Sequence, residues 1–180
     1  MGSVRLPLAV HADTQCDAVT GITAEITRSA AGEVSLSYEL AGRIAALALP
    51  APTTPSRRDA LWQHTCFELF VDMAGEGYRE FNFAPSGQWA AYGFSGYRIG
   101  MHDVDIDAPQ IAMRASDELL ELNVTLAPGI GAGAIRIGIS AVIEEADGRK
   151  SYWALAHPSD KADFHHPDCF AFELPALELP

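Results

Sequence analysis

The stretch LWQHTCFELFVDMAGEGYREFNFAPSGQWAAYGFSGYR, residues 61–98, decides the fold. Within it, residues 66–72, 78–84 and 88–94 form short β-like runs parted by turn signals such as Ser86-Gly87. In the first, Phe67, Leu69 and Val71 share one side, while Glu68 and Phe70 share the other. In the second, Phe81 and Phe83 oppose Tyr78, Glu80 and Asn82. Similar runs recur outward at residues 4–10, 21–28, 33–40, 44–49, 110–115, 119–126, 134–143, 151–156 and 169–174. Ala30-Ala31-Gly32 and Asp147-Gly148 sit between neighbouring runs, as hairpin turns do. No long segment carries a helical period with caps at both ends. The expectation is an all-β chain, a jelly-roll-like β-sandwich forming a single domain over residues 1–180. Two long irregular loops interrupt it, the proline-rich residues 50–59 and the His- and Asp-rich residues 157–168.

Composition fits one globular domain. The chain has 180 residues, is 48% hydrophobic, and carries a formal net charge of −12. Such acidity repels nucleic-acid phosphates and anionic membranes, so neither is an expected partner. Cys16, Cys66 and Cys169 form no CxxC pattern, and an odd number implies no disulfide framework. Reduced thiols, the lack of a signal-peptide pattern and the lack of a long apolar run predict a cytoplasmic protein.

One sheet face draws attention. In residues 134–143, Ile135, Ile137, Ile139 and Ile143 line the apolar side, leaving Arg136, Gly138 and Ser140 opposite. Glu68, Glu80, Asn82 and Ser140 then share a reverse face, suited either to water or to a small ligand. The hairpins decide where the tryptophans point. Residues 84–87, with Pro85 second, favour a type I turn followed by a glycine bulge. That register puts Trp89 with Phe81 and Phe83, and Tyr92 with Asn82. At Asp147-Gly148 the tight two-residue turn is favoured, which sends Trp153 and His157 to the side of Ser140.

The same central stretch resembles the DOMON-like domains related to family nine carbohydrate-binding modules. The resemblance rests on Trp62, on Phe67 to Asp72, and on Tyr78, Asn82, Phe83, Gly87 and Trp89; residues 152–170, YWALAHPSDKADFHHPDCF, resemble the later signature of a bacterial subgroup. It implies a β-sandwich that binds a sugar or, in other relatives, haem. A small-molecule ligand, a sugar above all, is therefore the expected partner, with Trp62 and Trp153 stacking on it. Glu68, Glu80, Asn82, Tyr92 and Ser140, with Arg58 or His157, would line the site and bond its hydroxyls. A structural calcium is also compatible with the resemblance.

Other readings compete with this one. Glu68 and Glu80 could imitate the carboxyl pair of a glycosidase, although no catalytic residue is assigned. Met73, Met101, Met113 and the histidines could ligate haem, without a matching pattern. A non-catalytic interaction scaffold is the remaining alternative. Asp103, Asp105 and Asp107 alternate as in an edge strand rather than a calcium loop, and the cluster Asp163, His165, His166, Asp168 and Cys169 matches no common zinc spacing. No metal site is assigned, and the oligomeric state stays open. His157, His165 and Asp163 reach the ligand face if their loop folds over it.

Overall fold

The computed structural model describes residues 4–127 and 129–177. Twelve strands follow one another: β1 (Val4–Val10), β2 (Val19–Arg28), β3 (Val34–Gly42), β4 (Cys66–Asp72), β5 (Tyr78–Phe83), β6 (Trp89–Phe94), β7 (His102–Asp103), β8 (Gln110–Ala115), β9 (Leu119–Leu126), β10 (Ile135–Glu144), β11 (Lys150–Ala154) and β12 (Phe172–Leu174). Every strand pairing is antiparallel. Among the described residues they make one 12-stranded sheet in the order β7-β6-β5-β4-β10-β11-β1-β2-β3-β9-β8, with β12 beside β10. No helix among the described residues is long and apolar enough to cross a membrane.

Strand β1 joins the two halves of the sheet. Residues Val4 to Leu8 pair with β2, whereas Ala9 and Val10 pair with β11. The sheet curls there, so the apolar sides of the two halves meet. Ile22, Leu36 and Tyr38 from one half pack in the same core as Phe67, Leu69, Ile137 and Ile139 from the other. Tyr38 seals the contact, because its ring lies 4.9 Å from that of Phe67 and its hydroxyl donates to the Glu68 carbonyl at 2.7 Å. Each large apolar side chain so buried contributes roughly 1.5–3 kcal/mol.

The strands follow the alternation read from the sequence, with three differences. Residues 44–49 do not form a strand. Ile44–Ala46 is a short helical turn, and Leu47 makes only an isolated bridge to Glu145. Ile44 and Leu47 are both buried there, a spacing that one turn of helix satisfies. Cys169 lies in a second helical turn, Pro167–Cys169, so the last strand shrinks to Phe172–Leu174. The aspartate run keeps strand pairing only at His102–Asp103, beyond which Val104 and Ile106 fold back onto the core.

Both hairpins in question adopt the same loop. In residues 84–87 the Gly87 amide donates to the Ala84 carbonyl, Gly87 has φ +90°, and Ala84 then pairs with Gln88. Trp89 consequently faces Phe83 and joins the core, as the bulged register requires. In residues 145–148 the Gly148 amide donates to Glu145, Gly148 has φ +87°, and Glu145 pairs with Arg149. The tight turn expected at Asp147-Gly148 is therefore replaced by a three-residue loop with a glycine bulge. The one-residue change sets Trp153 opposite Ala141 and sends it into the isoleucine core.

Candidate functional site

The reverse face of the β5-β4-β10-β11 region holds the candidate site. Pairing sets Glu68 between Asn82 and Ser140, and sets Glu80 opposite Phe70 and Tyr92. This face is not wet. Glu68 is 2% exposed and Glu80 4% exposed. A second apolar cluster covers it: Phe70, Tyr78, Tyr92, Phe94 and Val142 from the strands meet Phe164 and Phe170 of the 157–168 loop and its sequel. Gly138 makes room for that cover, since a Cβ there would lie 3.1 Å from the Cys169 carbonyl oxygen and from the Phe170 ring.

Polar groups under this cover are joined by directed hydrogen bonds. The Asn82 amide donates to Glu80 Oε1 at 2.7 Å, and the Ser140 hydroxyl donates to Glu68 Oε2 at 3.3 Å. The Arg98 amide donates to the Tyr78 hydroxyl at 3.2 Å. That hydroxyl lies 2.8 Å from His165 Nδ1, so its own proton points to the imidazole. His165 Nδ1 then accepts, and Nε2 carries the proton, 3.7 Å from Glu80 Oε2. Asp163 anchors the loop end. It accepts from Arg98 at 2.7 Å, from Tyr97, and from the His165 amide at 3.2 Å.

Burial governs the protonation of these groups. Desolvation, reinforced by the nearby Glu80 charge, holds the Glu68 carboxyl well above the usual carboxylate range, against the Ser140 hydrogen bond. Desolvation lifts Glu80 to about 7, opposed by its Asn82 bond and by Arg98. His165 moves the other way, down to about 4, through desolvation and then the Arg98 charge. The His165–Glu80 contact is thus made by a neutral imidazole at neutral pH and is not an ion pair. Desolvation also raises Tyr92, whose hydroxyl donates to Asp59 at 2.9 Å.

Between this floor and the loops lies a cavity of about 360 Å³. Glu68 and Glu80 reach it from below, while Trp62, Phe94, Tyr152 and Phe164 form apolar walls. Arg98, Met101 and His165 complete the lining. Trp62 stands on the short turn Leu61–Gln63, is 39% exposed, and meets Tyr92 edge-on at 5.9 Å. This volume and this mixture of apolar walls with few polar groups suit a small molecule.

The structure brings Trp62, Glu68 and Glu80 onto one cavity and places Asn82, Ser140 and Tyr92 directly beside them. It separates the other three expected residues. Trp153 is a core residue, and its indole N–H donates to Ser151 at 2.9 Å. His157 turns from Ser140 to β1, where Nε2 lies 2.8 Å from the Ala9 carbonyl oxygen and its ring meets His11 edge-on at 4.9 Å. Arg58 lines a separate cavity of about 410 Å³ beside Gln88 and reaches Gln88 Oε1 at 3.3 Å.

Of the conditional loop residues, His165 does reach the face. Arg98, Phe94, Tyr152 and Phe164 were not read from the sequence as site residues. The signal for Arg98 was slight, a Tyr-Arg pair between Gly96 and Gly100, yet Arg98 holds φ +55°, a strained value for a side-chain-bearing residue. The His and Asp cluster does structural work. His166 accepts from the Asp168 amide at 3.2 Å, and the Cys169 thiol donates to Asp163 and Ala156 carbonyls at 3.1 and 3.3 Å. Among the described residues no group of three or more His, Cys, Asp or Glu side chains is placed to hold a metal ion.

A scan against protein-family models finds none that matches, and no curated protein matches the chain. Solved structures do. The crystal structure of a "putative carbohydrate-binding protein" from Bacteroides uniformis aligns with a TM-score of 0.64 at 13% identity, over 92% of this chain and 83% of that one. At that identity the likeness concerns the fold alone.

Proposed function

We propose that this protein binds a small carbohydrate or sugar derivative in the cavity over Glu68 and Glu80. One observation carries the reading: two buried carboxyl groups open into an apolar-walled cavity of about 360 Å³. Pyranose rings present apolar faces and a rim of hydroxyls. Trp62 and Phe94 suit the first, and carboxyl oxygens suit the second. The described fold of the neighbour from Bacteroides uniformis is consistent with the same use. In this reading the curled sheet is a sandwich of the DOMON-like kind, bent about β1, and the chain works in the cytoplasm. Glycoside chemistry at Glu68 and Glu80 is the alternative reading, and turnover abolished by Glu68→Gln would favour it over binding alone.

Titration calorimetry against neutral mono- and disaccharides and amino sugars tests the reading. Trp62→Ala should cost a detected ligand on the order of 1–3 kcal/mol, and Glu80→Gln should weaken it as well. An affinity left intact by both substitutions would place the ligand elsewhere and refute the site.

A further inference from the structure

The chain contains only two lysines, Lys150 and Lys161. Both line one groove of about 420 Å³ on the flank of the proposed sugar cavity. The groove and the cavity share Tyr152 and Ala162 as a common wall. Lys150 and Tyr152 alternate along β11 on the face that carries Val142, a cavity residue directly opposite Tyr152. Lys161 comes from the 157–168 loop, so β11 and this loop contribute to both the groove and the cavity.

The charges are partitioned across that wall. In the cavity Arg98 is the cation, and Asp163 already occupies it at 2.7 Å. The floor carries two carboxyl groups and adds no cation for an anion there. In the groove, Arg149 is spent on Asp17, Asp147 and Glu145 at 2.7–2.9 Å. Among the described residues, neither lysine ammonium makes an ion pair or a hydrogen bond to a side chain or carbonyl. Thr14, also on the groove, has a hydroxyl with no partner. Asp13 is the one opposing carboxylate along the groove lining. In a chain of net charge −12, two uncommitted lysines on one groove beside the sugar cavity form a local exception with a chemical meaning.

We infer that the ligand is a sugar bearing an anionic substituent, its ring over Glu68 and Glu80 and its phosphate or carboxylate on Lys150 and Lys161. This rests on the sugar-binding reading and names its ligand class. The ammonium groups are compact, rotatable donors that bond a phosphate or carboxylate as point charges. Tyr152, standing between the two compartments, packs against the bridging part of the ligand. The carboxylic floor and the cationic groove together discriminate against a ligand turned end for end.

Calorimetry at low salt should compare glucose with glucose 6-phosphate, glucose 1-phosphate and glucuronate, alongside inorganic phosphate alone. The two phosphates and the uronate distinguish which anion the groove takes. At least one anionic sugar should bind roughly tenfold or more tightly than glucose. In the double variant Lys150→Gln/Lys161→Gln the ratio should fall close to one, and Trp62→Ala should weaken the anionic sugar too. Circular dichroism of the double variant confirms that it folds. Equal affinity for glucose and all its anionic derivatives overturns this inference while leaving sugar binding standing. A preference that survives in the double variant overturns it also. Binding of inorganic phosphate as tight as that of sugar phosphate, with Trp62→Ala without effect, reduces the groove to a bare anion site and overturns it. Absence of binding by every sugar refutes both the inference and the reading beneath it.

Discussion

Replacing His165 with Asn should make the stability of this protein depend on pH where the unmodified protein hides that dependence. Glu80 is lifted from 4.5 to about 7. The folded chain therefore keeps a proton that the unfolded chain has released, so its contribution is full below pH 4.5 and is lost as pH rises through 7. His165 is lowered from 6.5 to about 4. The unfolded chain there holds a proton that the folded chain lacks, so stability is full above pH 6.5 and is lost as pH falls through 4. The displacements are 7 − 4.5 = 2.5 and 6.5 − 4 = 2.5 pH units, each worth roughly 3 kcal/mol. Between pH 4.5 and 6.5 the two slopes are equal and opposite. His165→Asn removes the rising limb, and the variant should lose about 3 kcal/mol, relative to the parent, on going from pH 4 to pH 6.5. Glu80→Gln removes the falling limb, and its stability relative to the parent should climb across pH 4.5–7. Urea unfolding at constant ionic strength, at intervals from pH 4 to 7.5, reads both differences. Glu68, raised by its burial in parent and His165 variant alike, largely cancels from the first comparison. If both variants track the parent in parallel, the two groups are not desolvated as the structure requires, and the account of the cavity floor fails.

The two tryptophans should separate cleanly by assay. Trp153→Ala, in the core, should cost about 3–5 kcal/mol in urea unfolding, whereas Trp62→Ala, on an exposed turn, should change stability by less than about 1 kcal/mol and act on ligand binding instead. Gly148→Ala should destabilise by roughly 1 kcal/mol despite open space around it, because φ is +87°; Gly148→Asn, which tolerates that region, should cost less in the same thermal melts. Gly77→Ala is a severe case, since its Cβ would lie 1.8 Å from the Phe94 carbonyl oxygen; loss of soluble folded protein, judged by near-ultraviolet circular dichroism, is the expected result. Asp163→Ala releases Arg98, Tyr97 and the His165 amide together, and should raise hydrogen exchange in the 157–168 loop while leaving β2 and β3 protected.

What the sequence made legible was the side on which each residue lies within its strand; what it left open was how adjacent strands register. Residues 66–72 and 78–84 alternate so strictly that Glu68, Glu80 and Asn82 could be placed on one face without coordinates. Trp89 and Trp153 depended instead on single loops, and the same loop geometry serves both. At residues 84–87, Pro85 fixes the backbone of the second turn position, so the glycine bulge was readable. At residues 145–148 no proline stands there, and Asp147-Gly148 is equally a tight-turn signal. The Gly148 bulge adds one residue to the loop, which carries Trp153 to the core face; His157 lies beyond the end of β11, where strand register sets nothing. The walls of the cavity were harder still. Phe164 and His165 arrive from a loop whose course is set by packing over Phe70 and Tyr78 and by the anchoring of Asp163 on Arg98, contacts between segments more than sixty residues apart in the case of Asp163 and Arg98. Strand periodicity carries no information about such contacts. Local chemistry thus wrote the floor of the site into the sequence, while long-range packing alone supplied its roof, and the lysine groove was invisible until β11 and the 157–168 loop were brought side by side.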